Sequence, residues 1–166
     1  MPHSLRIVGI DPGSRNTGVG IIDGERLVHA ETLRLGDGPM PERLGLLFSR
    51  LGELLAEYRP AVAAVETVFM NRNAQSAIKL GQARGAVLCA LVSAGLEVHE
   101  YAPRAIKQAI VGRGGADKQQ VQHMSRMLLG LSEPLGEDAA DAVAVALCHL
   151  HTAQTRARLP AGVVLR

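Results

Sequence analysis

Apolar and polar positions divide this chain into a run of strands followed by alternating helices and strands. Leu5-Arg6-Ile7-Val8-Gly9-Ile10-Asp11 reads as a strand that ends on a carboxylate, and Pro12 to Asn16 as a turn. Thr17 to Asp23 alternates small and apolar residues, Gly24 permits a tight turn, and Glu25 to Leu35 continues as a third strand, which together predict an antiparallel meander. Leu44, Leu47, Phe48, Leu51, Leu54, Leu55 and Tyr58 then recur at helical spacing across 42–58, with Pro60 marking the exit. Ala61 to Val65 is a short, wholly apolar strand running into Glu66. After a polar loop at Asn71 to Asn73, a long helix is expected over 74–94, with Ile78, Ala83, Val87, Leu88 and Leu91 as its apolar positions, and then a fifth strand over 96–101. Helices follow at 103–111, 117–129 and 137 to about 154, with the flexible run Gly112-Arg113-Gly114-Gly115 between the first two. The order βββαβαβααα predicts an α/β fold. A mixed five-stranded sheet, a three-stranded antiparallel meander plus parallel strands, carries helices on both faces. One domain is expected over 1–155, and 156–166 reads as a C-terminal tail.

Composition narrows the class. At 166 residues, with 47% hydrophobic and 20% charged residues, the chain can bury a sizeable core and does not read as disordered. No apolar run reaches the roughly 18 residues of a membrane span, and the N-terminus does not have the pattern of a signal peptide, so a cytoplasmic protein is expected. Cys89 and Cys148 each sit in an apolar helical segment without CxxC spacing, which predicts two buried, reduced thiols. The net charge of +2 is compatible with nucleic acid. More informative is the placing of acids in apolar segments while arginines and lysines occupy loops and polar faces.

Those acids are Asp11, Glu66, Asp138 and Asp141. Asp11 ends an apolar strand, where a turn-capping role toward Gly13 or Ser14 is the simple alternative. Glu66 ends another, and an ion pair with Arg59 or Arg84 would account for it. Asp138 and Asp141 stand at i,i+3 on one helix face. Asp138 also lies in the first helical turn, where the macrodipole favours an anion. That explanation does not extend to Asp141, embedded in Asp138-Ala-Ala-Asp-Ala-Val-Ala-Val-Ala. The alanines allow this helix to approach the sheet and bring Asp141 toward the strand ends. Four carboxylates in one pit require neutralisation, and two divalent cations balance four negative charges. All-oxygen ligands favour Mg²⁺, with Mn²⁺ able to substitute, over zinc. A metal pair can bind a scissile phosphate, activate water and stabilise the leaving oxygen. No other catalytic arrangement competes. The six histidines lack zinc spacing, with His149 and His151 on different helix faces; GxSxG is absent, and Gly112 to Gly115 lacks a Walker lysine pattern.

Several separate blocks, in order, resemble the RuvC family of Holliday junction resolvases, which have the ribonuclease-H-like fold. They are Gly9-Ile-Asp-Pro-Gly-Ser-Arg15, Thr17-Gly18, Glu66-Thr-Val-Phe-Met70, Lys79-Leu-Gly-Gln-Ala-Arg-Gly85, Ile106-Lys-Gln108, Lys118-Gln-Gln-Val-Gln-His-Met124 and Asp138-Ala-Ala-Asp-Ala142. The likeness spans Arg6 to about His151. It implies a homodimer that places paired symmetric nicks in a four-way DNA junction and works with the RuvA–RuvB branch-migration machinery. It also implies that Asp11, Glu66, Asp138 and Asp141 are the metal-binding carboxylates, that Phe69 is a junction-binding aromatic, and that Lys107 and Lys118 are basic residues beside the active site.

Further DNA contacts are expected in the loop and helix start after Glu66. Phe69 could stack on an unpaired base, or instead fill the core. Asn71, Arg72, Asn73 and Ser76 offer donors and acceptors for phosphates or base edges, with helix capping as the alternative for Asn73. The helix from Ala74 is a candidate dimer face. Three other functions fit parts of the pattern. Gly-Ile-Asp-Pro-Gly resembles the phosphate-binding hairpin of actin-like ATPases and sugar kinases, but that fold needs a duplicated domain. A non-cleaving junction-binding module would not need all four acids. A ribonuclease-H-like enzyme acting on RNA is the third.

Overall fold

The computed structural model describes residues 4–67 and 73–160. Ten elements appear in the expected order. Strands β1 (Arg6–Asp11), β2 (Asn16–Asp23) and β3 (Arg26–Arg34) precede helix α1 (Met40–Tyr58) and strand β4 (Val62–Glu66). Helix α2 (Ala74–Ser93), strand β5 (Glu97–Tyr101) and helices α3 (Pro103–Val111), α4 (Lys118–Leu128) and α5 (Glu137–Arg158) complete the chain. The sheet order is β3-β2-β1-β4-β5. β1–β2 and β2–β3 pair antiparallel, whereas β4 lies parallel to both β1 and β5.

Period-two alternation sorts the strand residues between two cores. Val8, Ile10, Val19, Ile21, Ala63 and Val65 pack under α1 and α2, against Leu47, Leu51, Leu54, Val87 and Leu91. Ile7, Ile22, Val62 and Ala64 face the other way, against Ile106, Val121, Val143 and Leu147 of α3, α4 and α5. Burying each such Val, Leu or Ile contributes about 1.5–3 kcal/mol, so the two layers hold the sheet from both sides.

Two boundaries differ from the sequence reading by two residues or more. α1 begins at Met40, two residues early, because Pro41 suits the first helical turn, where its missing N–H costs nothing. Arg59 ends α1 in a left-handed conformation, its N–H donating to Leu55 O, before Pro60. α5 continues through Arg158 instead of ending near Gln154, with Arg156 and Arg158 in its last turn, where the helix dipole favours cations. The segment expected as tail from Arg156 therefore starts as helix. The cysteine expectation is corrected as well: Cys148 is buried, but Cys89 lies on the exposed side of α2.

Candidate active site

The strand parity that builds the cores also aims the acids. Ile7 and Gly9 of β1 face α5, so Asp11, two residues on, points to the same side. Val62 and Ala64 of β4 do likewise, which carries Glu66 there. β1 and β4 are parallel neighbours with Ile10 opposite Val65, so Asp11 and Glu66 emerge side by side at the carboxyl end of the sheet.

α5 supplies the other two acids, and it can do so because the sheet beneath it has no side chains in the way. A Cβ on Gly18 would stand 1.9 Å from the Asp138 carbonyl oxygen, and one on Gly9 would stand 2.2 Å from that of Ala142. On Gly20 it would meet the Val143 side chain at 2.6 Å. The alanines of α5 allow this approach from one side, as expected. The glycines on β1 and β2, which the sequence expectation leaves out, allow it from the other, and Gly18-Val-Gly20, two glycines on one strand face, is their signal.

The simple alternatives for the strand acids do not hold. Thr17, wholly buried, closes the turn after Asp11: its Oγ1 accepts from Gly13 N at 3.2 Å and donates to Gly13 O at 3.0 Å. Arg84 of α2 donates to the backbone oxygen of Glu66 at 2.8 Å and pairs its other nitrogen with Glu100, leaving the Glu66 carboxylate to face Asp11. Arg59 caps α1 through its backbone N–H, and among the described residues its side chain forms no ion pair with Glu66.

The carboxyl groups of Asp11 and Glu66 face each other closely enough for a proton held on one to be shared with the other. Burial, and then the charge of Glu66 with lesser contributions from Asp141 and Asp138, raises Asp11 to about 8. Glu66 is raised by burial and by Asp141, against opposing effects of the Asp11 hydrogen bond, Lys118 and Lys107. Asp141 is raised by burial and pulled back by Lys118, whose Nζ lies 2.9 Å from Asp141 Oδ2 and 2.5 Å from Glu137 Oε1. Glu66, Lys107, Lys118 and Asp141 line one cleft of about 260 Å³ beside Pro103 and Ile106. Among the described residues, no three carboxylate, imidazole or thiolate groups converge into a preformed metal cage. What the site shows is a demand for positive charge: burial and like charge raise Asp11, and Lys118 pairs with Asp141. Hard oxygen donors in that state suit a divalent cation such as Mg²⁺ or Mn²⁺.

The remaining expectations divide. Phe69, Asn71 and Arg72 lie outside the described residues. Asn73 caps α2, its side chain accepting from Gln75 N at 2.8 Å. Ser76 is exposed and lines a second cleft, with Gly13, Ser14, Arg15, Arg43 and Lys79. Of these, Arg15, Arg43 and Lys79 were not singled out as DNA contacts from the sequence. His149 and His151 face apart as expected: one pairs with the Tyr101 hydroxyl at 2.7 Å, the other with Ala109 O at 3.1 Å.

Comparison with known proteins agrees with this geometry. The family described as "Crossover junction endodeoxyribonuclease RuvC" matches residues 7–149. A protein of that name from Alkalilimnicola ehrlichii is 57% identical over 158 residues, covering 93% of this chain and 96% of the relative. One from Methylococcus capsulatus is 54% identical over 157 residues, covering 93% and 95%. Among solved structures, "T. thermophilus RuvC in complex with Holliday junction substrate" superposes with a TM-score of 0.86 at 40% identity, covering 92% of this chain and 96% of that one. The yeast mitochondrial Holliday junction resolvase Ydc2 superposes with a TM-score of 0.65 at 12% identity, a likeness of fold alone. The chain belongs to the RuvC family of crossover junction endodeoxyribonucleases.

Proposed function

We propose that this chain resolves four-way DNA junctions by hydrolysing one phosphodiester in each of two opposing strands, with Asp11, Glu66, Asp138 and Asp141 as the metal-binding and catalytic carboxylates. The observation that carries this reading is the half-buried Asp11–Glu66 carboxyl pair, set side by side at the end of the sheet with Asp141 on the same cleft. A carboxyl raised to about 8 by burial and by its acidic neighbours would give up its proton in favour of a bound cation. Two divalent ions, Mg²⁺ in the cell with Mn²⁺ able to substitute, would supply Lewis acidity at the scissile phosphate and a bound water of lowered pKa. Asp11 and Glu66 are fixed by strand backbone and Asp141 by α5, so the donors stay in place while charge develops on the phosphate. Lys118 and Lys107 line the same cleft and are suited to neutralise that charge. Phe69, Asn71, Arg72, Asn73 and Ser76 contact the junction strands in this reading.

A four-way junction has two-fold symmetry, so paired nicks call for a homodimer. The exposed side of α2 supports this, since Ile78, Cys89 and Val92 present apolar surface at helical spacing on a helix whose opposite face is already buried. Cooperation with RuvA–RuvB and a cytoplasmic location belong to the same reading. No helix among the described residues is long and apolar enough to cross a membrane.

The test is cleavage of an end-labelled synthetic four-way junction with Mg²⁺, with Mn²⁺ and with chelator. Symmetric paired nicks with metal, none with chelator, and none by Asp141→Asn protein that still binds the junction are the expected results. Full cleavage by Asp141→Asn would remove the carboxylate assignment. Cleavage of RNA–DNA hybrid in preference to the junction would favour the RNA reading.

A further inference from the structure

Among the described residues, Arg43 is a buried cation paired with no carboxylate. It belongs to the first turns of α1 and retains only 9% of its exposure. Its Nε donates to Gly38 O at 2.7 Å and its Nη1 to Ser14 O at 3.2 Å. Both acceptors are neutral carbonyls. Among the described residues no Asp or Glu lies within ion-pair distance of it, and residues 1–3, 68–72 and 161–166 include no Asp or Glu. A guanidinium does not shed its proton at neutral pH, so burial without a counter-charge costs stability unless an anion completes the site.

The surroundings fit an anion. Arg43 lines a cleft of about 460 Å³ with Arg15, Lys79, Ser14, Ser76 and the backbone of Gly13. That gathers three cations and two hydroxyls. Two acids lie nearby: Glu42, whose carboxylate sits beside Gly38 without an ion pair to Arg43, and Asp37, 3.1 Å from Arg15 in a pair so exposed (72% and 78%) that it contributes little and is screened by salt. The cleft also has a definite relation to the catalytic end of the sheet. Gly13 and Ser14 belong to the turn that follows Asp11, but Arg43 and Lys79 come from α1 and α2, the opposite face from α5. The carboxylates and this basic cleft therefore flank one turn on its two sides.

We infer that Arg43, Arg15 and Lys79 form a second phosphate site, which holds a backbone phosphodiester of the bound DNA strand away from the scissile one and so fixes how that strand crosses the turn after Asp11. The assignment rests on the junction-cleaving reading above. Arg43, held rigidly by two carbonyls, provides the floor. Arg15 and Lys79 close over the phosphate from the exposed side, with Ser14 and Ser76 as hydroxyl donors.

The experiment combines single-site methylphosphonate substitution along one junction strand with Lys79→Ala and Arg15→Ala, both exposed positions where folding is not at stake. Binding is measured without divalent metal, across a salt series. For wild-type protein, neutralising one particular phosphate other than the scissile one weakens binding about tenfold, and Lys79→Ala is indifferent to that same substitution. Lys79→Ala and Arg15→Ala each lower the magnitude of the salt slope by about 1, and Lys79→Arg restores it. Arg43→Gln, checked for folding by circular dichroism, loses the same phosphate sensitivity. Unchanged salt slopes in both exposed variants overturn the inference, as does methylphosphonate sensitivity that stays the same in Lys79→Ala. A thermal shift with inorganic phosphate alone, lost in Arg43→Gln but unaccompanied by any methylphosphonate coupling, would make this a free-anion site and overturn its assignment to DNA. Absence of Mg²⁺-dependent nicking by the wild-type protein would instead count against the junction-cleaving reading, and is scored separately.

Discussion

Lys118 Nζ stands 2.9 Å from Asp141 Oδ2, an ammonium on α4 neutralising a carboxylate on α5 at the mouth of the cleft. Its own pKa is raised because the hydrogen bonds to Glu137 and Asp141 outweigh the effect of burial. The lysine therefore holds charge that a cation would otherwise supply. Removing it should act in opposite directions on metal and on chemistry. Lys118→Ala is expected to bind Mg²⁺ at least as tightly as wild type, because a competitor for Asp141 is gone. Single-turnover cleavage should fall roughly a hundredfold, the scale for loss of one charge-stabilising donor in an active site. Titration calorimetry and quenched-flow cleavage separate the two. Weaker Mg²⁺ binding in the variant would show that Lys118 orients Asp141 instead of competing for it.

The Asp11 shift has a thermodynamic consequence with a definite sign. An acid whose folded value is about 8, against an ordinary 3.8, binds its proton more tightly in the native state. Between those two pH values the unfolded chain has released the proton and the folded chain has kept it, so metal-free stability falls as pH rises through the window. Divalent metal should reverse the trend, since binding releases protons and tightens toward alkaline pH. Asp11→Asn should flatten the metal-free profile and raise the melting temperature near pH 8 while abolishing cleavage. Thermal melts in chelator over the window, with and without the substitution, check it. A metal-free melting temperature that climbs with pH would contradict the raised Asp11 pKa.

Much of this was legible in the chain, for identifiable reasons. All ten elements follow from hydrophobic period, and strand-end acids stand out because carboxylates are costly among apolar neighbours. Strand parity was also available: Ile7, Gly9 and Asp11 alternate with Val8 and Ile10, as Val62, Ala64 and Glu66 do with Ala63 and Val65. What escaped notice depends on tertiary contact. Arg43 sits at a helical position that looks solvated, and only the fold brings Gly38 and Ser14 to it. Cys89 looks apolar by its neighbours, yet Ala90 and Leu91 take the buried face of α2 and turn it outward.

That outward face gives a prediction about assembly. Ile78 and Val92 are 62% and 65% exposed, at opposite ends of a helix whose other side is anchored by Ala83, Val87 and Leu91. Ile78→Glu with Val92→Lys should leave the fold intact, because neither side chain is in the core, and should convert the proposed dimer to a monomer by sedimentation. On a junction, the monomer should nick strands singly, so linear products fall relative to nicked ones in a cruciform plasmid assay. An unchanged sedimentation coefficient would place the dimer contact elsewhere.

Gly18 tests whether helix-to-sheet distance is what assembles the site. Its missing side chain lets the Asp138 carbonyl come to where a Cβ would be 1.9 Å away, a backbone contact that no rotamer change can relieve. Gly18→Ala must push the start of α5 off β2, and overpacking of this kind costs about 1–3 kcal/mol, sometimes more. The displaced turn carries Asp138 directly and Asp141 one turn later, so catalysis should suffer beyond the stability loss. A misplacement of about 1 Å can cost about a hundredfold in rate. Gly24→Ala is the control, because Gly24 also lies in the meander but is remote from α5, its would-be Cβ meeting only Ser4 at 3.8 Å, and its positive φ makes alanine costly there too. Urea unfolding matched against cleavage below each variant's transition should show comparable destabilisation in the two proteins and a rate defect in Gly18→Ala alone. Equal cleavage rates would mean that α5 can shift without carrying its carboxylates out of register with Asp11 and Glu66.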